Sequence, residues 1–171
     1  AEGPGKSWPD GTQLREVRAD SKALAELVAT WNRDRPKALT GVIWYRLPVE
    51  GDSLNWSWPT LARVMAGDVP RSNLRTETRC PQPELLEIDL VNSGQADFNS
   101  SVSVRLSWRE ARLVAGDGLE GFALAEGGTN VLQFRSQPAV ARIEAGRRRT
   151  IGWLRLDRKT EVQVELDAKQ N

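Results

Sequence analysis

Two periodicities divide the chain. Toward the N-terminus, Leu24, Leu27, Val28 and Trp31 fall at i, i+3, i+4 and i+7, one apolar stripe on a helix. Asp20 or Ser21 offers a side-chain oxygen to the first-turn amides, and Pro36 stops a helix predicted to run to about Asn32. A second helix is predicted from about Pro59, with Leu61, Val64 and Met65 on its inner face and Gly67 placed to end it. Between the helices, residues 38–47 form a nearly unbroken apolar run, which reads as a strand buried on both faces. Residues 1–12 read as a loop ordered by Trp8, and Gln13–Val17 as a short strand.

Beyond Pro83 the period is two. Leu86, Ile88 and Leu90 alternate with Glu87 and Asp89. Val102, Val104, Leu106 and Trp108 alternate with Ser103, Arg105 and Ser107, and Val162, Val164 and Leu166 with Gln163 and Glu165. With turn signals at Asn92-Ser93-Gly94, Gly116-Asp117-Gly118, Gly127-Gly128 and Ala145-Gly146, this pattern predicts roughly seven short antiparallel strands. Ile151-Gly152-Trp153 interrupts the alternation, which a bulge near Gly152 or burial on both faces would explain. Trp108 and Trp153 read as core residues. The fold class expected is α+β: a helix–strand–helix unit over residues 1–69, a linker over 70–83, and an immunoglobulin- or fibronectin-like β-sandwich over 84–171.

A parallel-type strand flanked by two helices needs neighbours that the rest of the chain does not offer. It can join the sandwich edge, pair with another chain, or belong to a longer α/β protein of which this is the C-terminal piece. The third reading makes residues 1–69 the last unit of a (β/α) barrel, whose ligand side lies at the C-terminal ends of the strands. Trp44, Arg46, Glu50, Asp52, Asn55, Trp56 and Trp58 then crowd one rim. Tryptophan rings stack on the apolar faces of sugars, while Arg, Asp and Asn bind hydroxyls, so carbohydrate is the candidate ligand. Glycoside hydrolysis needs two carboxyl groups roughly 5–10 Å apart across the scissile bond, and Glu50 and Asp52 share one loop. The plainer roles are a staple of Trp56 and Trp58 over the second helix, and an ion pair between Arg46 and a nearby carboxylate.

Composition narrows the chemistry. Lys and Arg number 24 against 23 Asp and Glu, so no basic stripe points to nucleic acid. Arg147-Arg148-Arg149 reads as a solvated turn and strand edge. The sequence has no histidine, which excludes Ser-His-Asp and Cys-His catalysis and imidazole metal sites. The single cysteine, Cys80, excludes an internal disulfide and a thiolate cluster. No metal or cofactor is therefore expected. No stretch approaches the eighteen or so apolar residues of a membrane span, and Ala1-Glu2-Gly3-Pro4-Gly5 is unlike a signal peptide.

Gly41-Val42-Ile43-Trp44-Tyr45-Arg46-Leu47-Pro48, Asn55-Trp56 with Thr60-Leu61, and Gly152-Trp153-Leu154-Arg155-Leu156 resemble a family of uncharacterised bacterial proteins known as a domain of unknown function. In that family a glycosidase-like barrel precedes a β-sandwich, and the resemblance covers most of the chain. It implies an exported protein, periplasmic or extracellular, with a barrel segment upstream. The leading expectation is a non-catalytic C-terminal portion that gives structural support or binds carbohydrate weakly. The alternatives are a rim contribution to a glycoside-hydrolase-like site completed upstream, and a protein-interaction module in which residues 38–47 pair with an upstream segment or a second subunit.

Overall fold

Helix α1 (Ser21–Arg33) begins where Asp20 caps it, its Oδ1 accepting from the Ala23 N–H at 2.8 Å. Helix α2 (Trp58–Ala66) has Pro59 in its first turn and ends at Gly67, which adopts the left-handed conformation at φ +79°. A Cβ at position 67 would lie 2.9 Å from the Ala29 nitrogen, so glycine also lets the two helices approach. Ala25 and Val28 of α1 and Leu61 and Val64 of α2 are buried where the helices pack together. The computed structural model describes residues 9, 11–13, 19–49, 52, 55–137 and 141–168. Trp8, Glu50 and all but Gln13 of the strand expected at 13–17 lie outside these residues.

Residues 38–47, expected to be a buried strand, are not one. Among the described residues this segment belongs to no sheet, and the two helices pack on each other without a strand between them. Its side chains instead alternate. Trp44, Arg46 and Pro48 are half-buried, while Ile43 and Tyr45 are 95% and 90% exposed and Leu47 and Val49 are exposed as well. The Tyr45–Arg46 peptide bond is cis. An apolar run records that a segment is suited to burial; it does not record what covers it.

Beyond the helices the described residues form ten strands: β1 (Leu74–Gln82), β2 (Leu85–Asn92), β3 (Phe98–Ser100), β4 (Val102–Trp108), β5 (Leu113–Gly118), β6 (Phe122–Gly128), β7 (Val131–Ser136), β8 (Ala141–Ile143), β9 (Arg148–Leu156) and β10 (Val162–Ala168). They form one four-stranded sheet in the order β1-β2-β9-β5, a second in the order β10-β4-β7-β6, and a two-stranded ribbon β3-β8. Every pairing is antiparallel. Strand β1 occupies most of the stretch expected to be a linker. It is an edge strand, and the register shift between Arg79 and Gln82 accommodates Pro81, which has no N–H to give a ladder.

The inner faces meet in one apolar cluster. Ile88, Leu90, Ile151 and Leu154 from the first sheet join Val104, Leu106, Leu132 and Phe134 from the second. This alternation makes the structure a mixed α+β fold with a sandwich-like pair of antiparallel sheets. The expected bulge is present: Ile88 pairs with Gly152 and Asp89 with Thr150, leaving Ile151 as the extra residue. A Cβ at Gly152 would stand 2.2 Å from the Phe134 ring, so the bulge puts backbone where a side chain cannot fit. Trp108 is in the core, its Nε1–H donating to the Ala111 carbonyl at 3.1 Å. Trp153 is not. It is half-buried and stands opposite Glu87 and Asp117, next to the core-facing Leu154.

Candidate functional site

Arg46, Asp52 and Asn55 are brought together, and onto one another. The Arg46 Nη2 donates to Asp52 Oδ2 at 2.9 Å, the pairing expected for Arg46. Asn55 closes a turn on the same carboxylate through its backbone N–H at 3.2 Å and its Nδ2 at 2.6 Å. With its side chain 4% exposed, Asp52 is held by an arginine and an amide.

Residues far along the chain complete this cluster. Arg142 on β8 donates to the Asp52 carbonyl at 2.9 Å and the Asn55 carbonyl at 2.7 Å, and its Nη2 reaches Asp97 Oδ2 at 3.3 Å. Asp97 in turn accepts from the backbone N–H groups of Ser57 at 2.8 Å and Ala145 at 3.0 Å. Thr60 on α2 donates to the Gln95 carbonyl and accepts from the Asp97 N–H. This network joins the loop and the start of α2 to one end of the sandwich. Beneath it, the buried Asn92 side chain donates to the Ala96 and Ile143 carbonyls and accepts from the Asn73 and Gly94 N–H groups. Nothing in the spacing of Asp97 or Arg142 separates them from ordinary polar positions. Asn92 alone carries a signal, as the first residue of a turn.

The remaining rim residues do not converge. Trp44 and Trp56 are half-buried, Trp58 is 55% exposed at the start of α2, and Glu50 lies outside the described residues. Among the described residues no group of three or more Asp, Glu or Cys side chains is placed to hold a metal ion. No described helix is long and apolar enough to cross a membrane.

A second charged cluster covers the outer face of the first sheet. Asp89, fully buried, accepts from Arg79 at 2.7 Å, Arg148 at 2.9 Å and Thr150 at 2.8 Å. Burial pushes its pKa up, but the bonds from Arg79, Thr150 and Arg148 together hold it below the ordinary aspartate value. Arg148 also pairs with Glu77, whose pKa is lowered first by the bond from Arg75. The middle arginine of the predicted solvated turn is thus tied into a ladder of ion pairs. Arg79 also pairs with Glu87, so three arginines and three acids satisfy each other within this cluster.

What is left open is apolar. Ile43, Tyr45, Leu47 and Val49 are exposed along the 42–49 segment, as is Val42 at its start. Its root is basic: Arg33, Arg35 and Lys37 are exposed, against the one acid Asp34. A row of alternate apolar side chains beside backbone outside any described sheet can join another strand.

Residues 75–157 match the model of a family described as Domain of unknown function (DUF8456). The matched stretch takes in the strands from β1 to β9 and leaves out both helices, segment 42–49 and β10. No curated protein matches the chain.

Proposed function

We propose that this chain is a non-catalytic assembly module, in which the sandwich is the anchor and residues 42–49 are an arm that docks on another polypeptide by strand addition. The single observation that carries this reading is the alternation from Ile43 onward, with Ile43, Tyr45, Leu47 and Val49 exposed and Trp44, Arg46 and Pro48 half-buried; Val42, before it, is exposed too. Apolar surface returned to water costs roughly 25 cal/mol per Å², and contiguous apolar patches on soluble proteins mark contact sites. The Arg46–Asp52–Arg142 network supports the role by holding the inner face of the arm and leaving the outer face free for a partner. It argues against hydrolysis, because Asp52 is engaged by Arg46 and Asn55. The partner is a polypeptide with an open strand edge, either an upstream segment of a longer protein or a second subunit.

Within the sandwich class, the strand order favours a jelly roll over an immunoglobulin-like fold. Strand β2 pairs with β9, β4 with both β7 and β10, and β5 with β9, a nested order made as the chain crosses between sheets.

Hydrogen exchange tests the docking reading. The probe is a synthetic eight-residue peptide alternating valine with glutamate and threonine. Protection of the amides of residues 42–49 on adding the peptide, lost in Tyr45→Lys, is the expected result. Unchanged exchange at all these amides removes the arm from the function. A second reading is favoured by the exposed Trp58 beside Trp56: weak stacking on carbohydrate. Tryptophan fluorescence that stays constant across a panel of soluble polysaccharides would dispose of it.

A further inference from the structure

We infer that the edge receiving the arm is β10 of a second copy of this chain, so that the protein assembles with itself by arm exchange; this rests on the docking reading. The two sheets end in four edge strands: β1, β5, β10 and β6. Three are irregular. The pairing of β1 shifts between Arg79 and Gln82 around Pro81, that of β5 shifts between Leu113 and Ala115, and that of β6 shifts between Glu126 and Gly128. Bulges and prolines of this kind protect an edge from accepting another strand. Strand β10 has no such device. It pairs with β4 residue for residue from Val162 to Ala168, and among the described residues no further strand is hydrogen-bonded to it, although β1 of the facing sheet packs near it.

Its side chains are also incompletely covered. Val162, Val164 and Leu166 are half-buried at the border of the core, whereas Val104 and Leu106 on the neighbouring β4 are fully buried. A further strand laying an apolar row beside them would extend the core, and Ile43, Tyr45 and Leu47 supply such a row. The lengths are comparable, eight residues in the segment 42–49 and seven in β10.

Charge then selects between edges. Residues 161–168 contain Glu161, Glu165 and Asp167 and no base, whereas the root of the arm carries Arg33, Arg35 and Lys37 against Asp34. The basic root of the arm is attracted to the acidic β10, whereas on β1 Arg75 and Arg79 are already paired with Glu77, Glu87 and Asp89, which leaves that edge without net attraction. The contact is heterologous, so two copies exchanging arms close as a dimer and a one-way series grows.

The test is mass as a function of concentration, by light scattering and sedimentation, on the full chain and two variants. Tyr45→Lys alters only the arm and Asp167→Arg only the edge, both at exposed positions, and Asp167 stands opposite the uncharged Ser103. The wild-type chain is expected to self-associate, with weaker association at high salt. Each variant alone should dissociate by roughly ten-fold or more, as for a central contact. An equimolar mixture of the two should regain association, because an intact arm on one copy meets an intact edge on the other. A wild-type chain monomeric at millimolar concentration overturns the self-pairing. So does association that survives both substitutions, or a mixture that stays as dissociated as its parts. The docking reading fails separately: it falls only if the synthetic strand peptide also leaves residues 42–49 unprotected.

Discussion

The two halves of this molecule solve the same problem to different degrees. In the sandwich, Ile88, Leu90, Val104, Leu106, Phe134, Ile151 and Leu154 have no exposed surface, and the apolar face of each sheet is the cover for the other. In the helical half, the buried apolar side chains are Ala25, Val28, Leu61 and Val64, one small contact between two short helices. That half also carries nine of the twelve large apolar residues left exposed among those described, Ile43 and Tyr45 foremost. Apolar content does not separate the halves. What separates them is whether each apolar row finds its complement within the described chain. A region whose rows lack one is left with a small core and a large exposed apolar surface.

The comparison can be broken from the sandwich side, where the largest effect is expected. Gly152→Val drives a branched side chain into Phe134, and urea unfolding should show a loss of about 3 kcal/mol. A variant with wild-type stability would mean that the bulge is not part of the core. The next effect falls on the connection between the halves. Arg142→Ala leaves the Asp52 and Asn55 carbonyls without their donor and should cost about 2 kcal/mol. Hydrogen exchange should show that cost as faster exchange throughout α1 and α2 with the sheets unchanged. Equal acceleration in the sheets would show the halves to be one cooperative unit.

Acid should act on the sandwich before the helices. Asp89 and Glu77 have pKa values held below their ordinary ranges in the folded state. The unfolded chain therefore binds protons more readily, and the stability from these carboxylates, complete above about pH 5, is lost as pH falls through their folded values. Asp89→Asn should flatten the fall in melting temperature over that interval, and a curve parallel to wild type would show that other groups set the acid limit. The smallest effect belongs to the arm. Ile43→Lys, at a side chain 95% exposed, should change the stability of the monomer by less than about 0.5 kcal/mol. A larger loss would mean that the arm is already covered.

The sequence displays most of what is local. The stripe through Leu24 and Val28, the Asp20 cap, the Gly67 ending and the period-two runs of β2, β4 and β10 depend on neighbours in the chain, and all are present. Strand β1 is hidden in the sequence because an edge strand with its side chains largely in water, Arg-Thr-Glu-Thr-Arg, has no apolar alternation to display. Trp153 falls outside the core, against expectation, because the extra residue Ile151 shifts the facing of the residues after it. The Arg46–Asp52 pair is within reach of sequence reasoning, six residues apart, whereas the Arg142–Asp52 bond spans ninety. Fold-level contacts of that kind leave no spacing to read. The 38–47 run misleads for a related reason, since a single sequence cannot say whether a cover lies in the same chain.

The place where Asp97 and Arg142 tie the loop to the sandwich has a mechanical meaning. Tension applied to the arm passes through the bonds of Arg142 and through Ser57 to Asp97, and from there into the three-residue ribbon β3-β8. The long ladders of the two sheets lie beside that path. The shortest described strand pair therefore carries the load, and pulling on an engaged arm should release the helical half as a unit while both sheets stay closed.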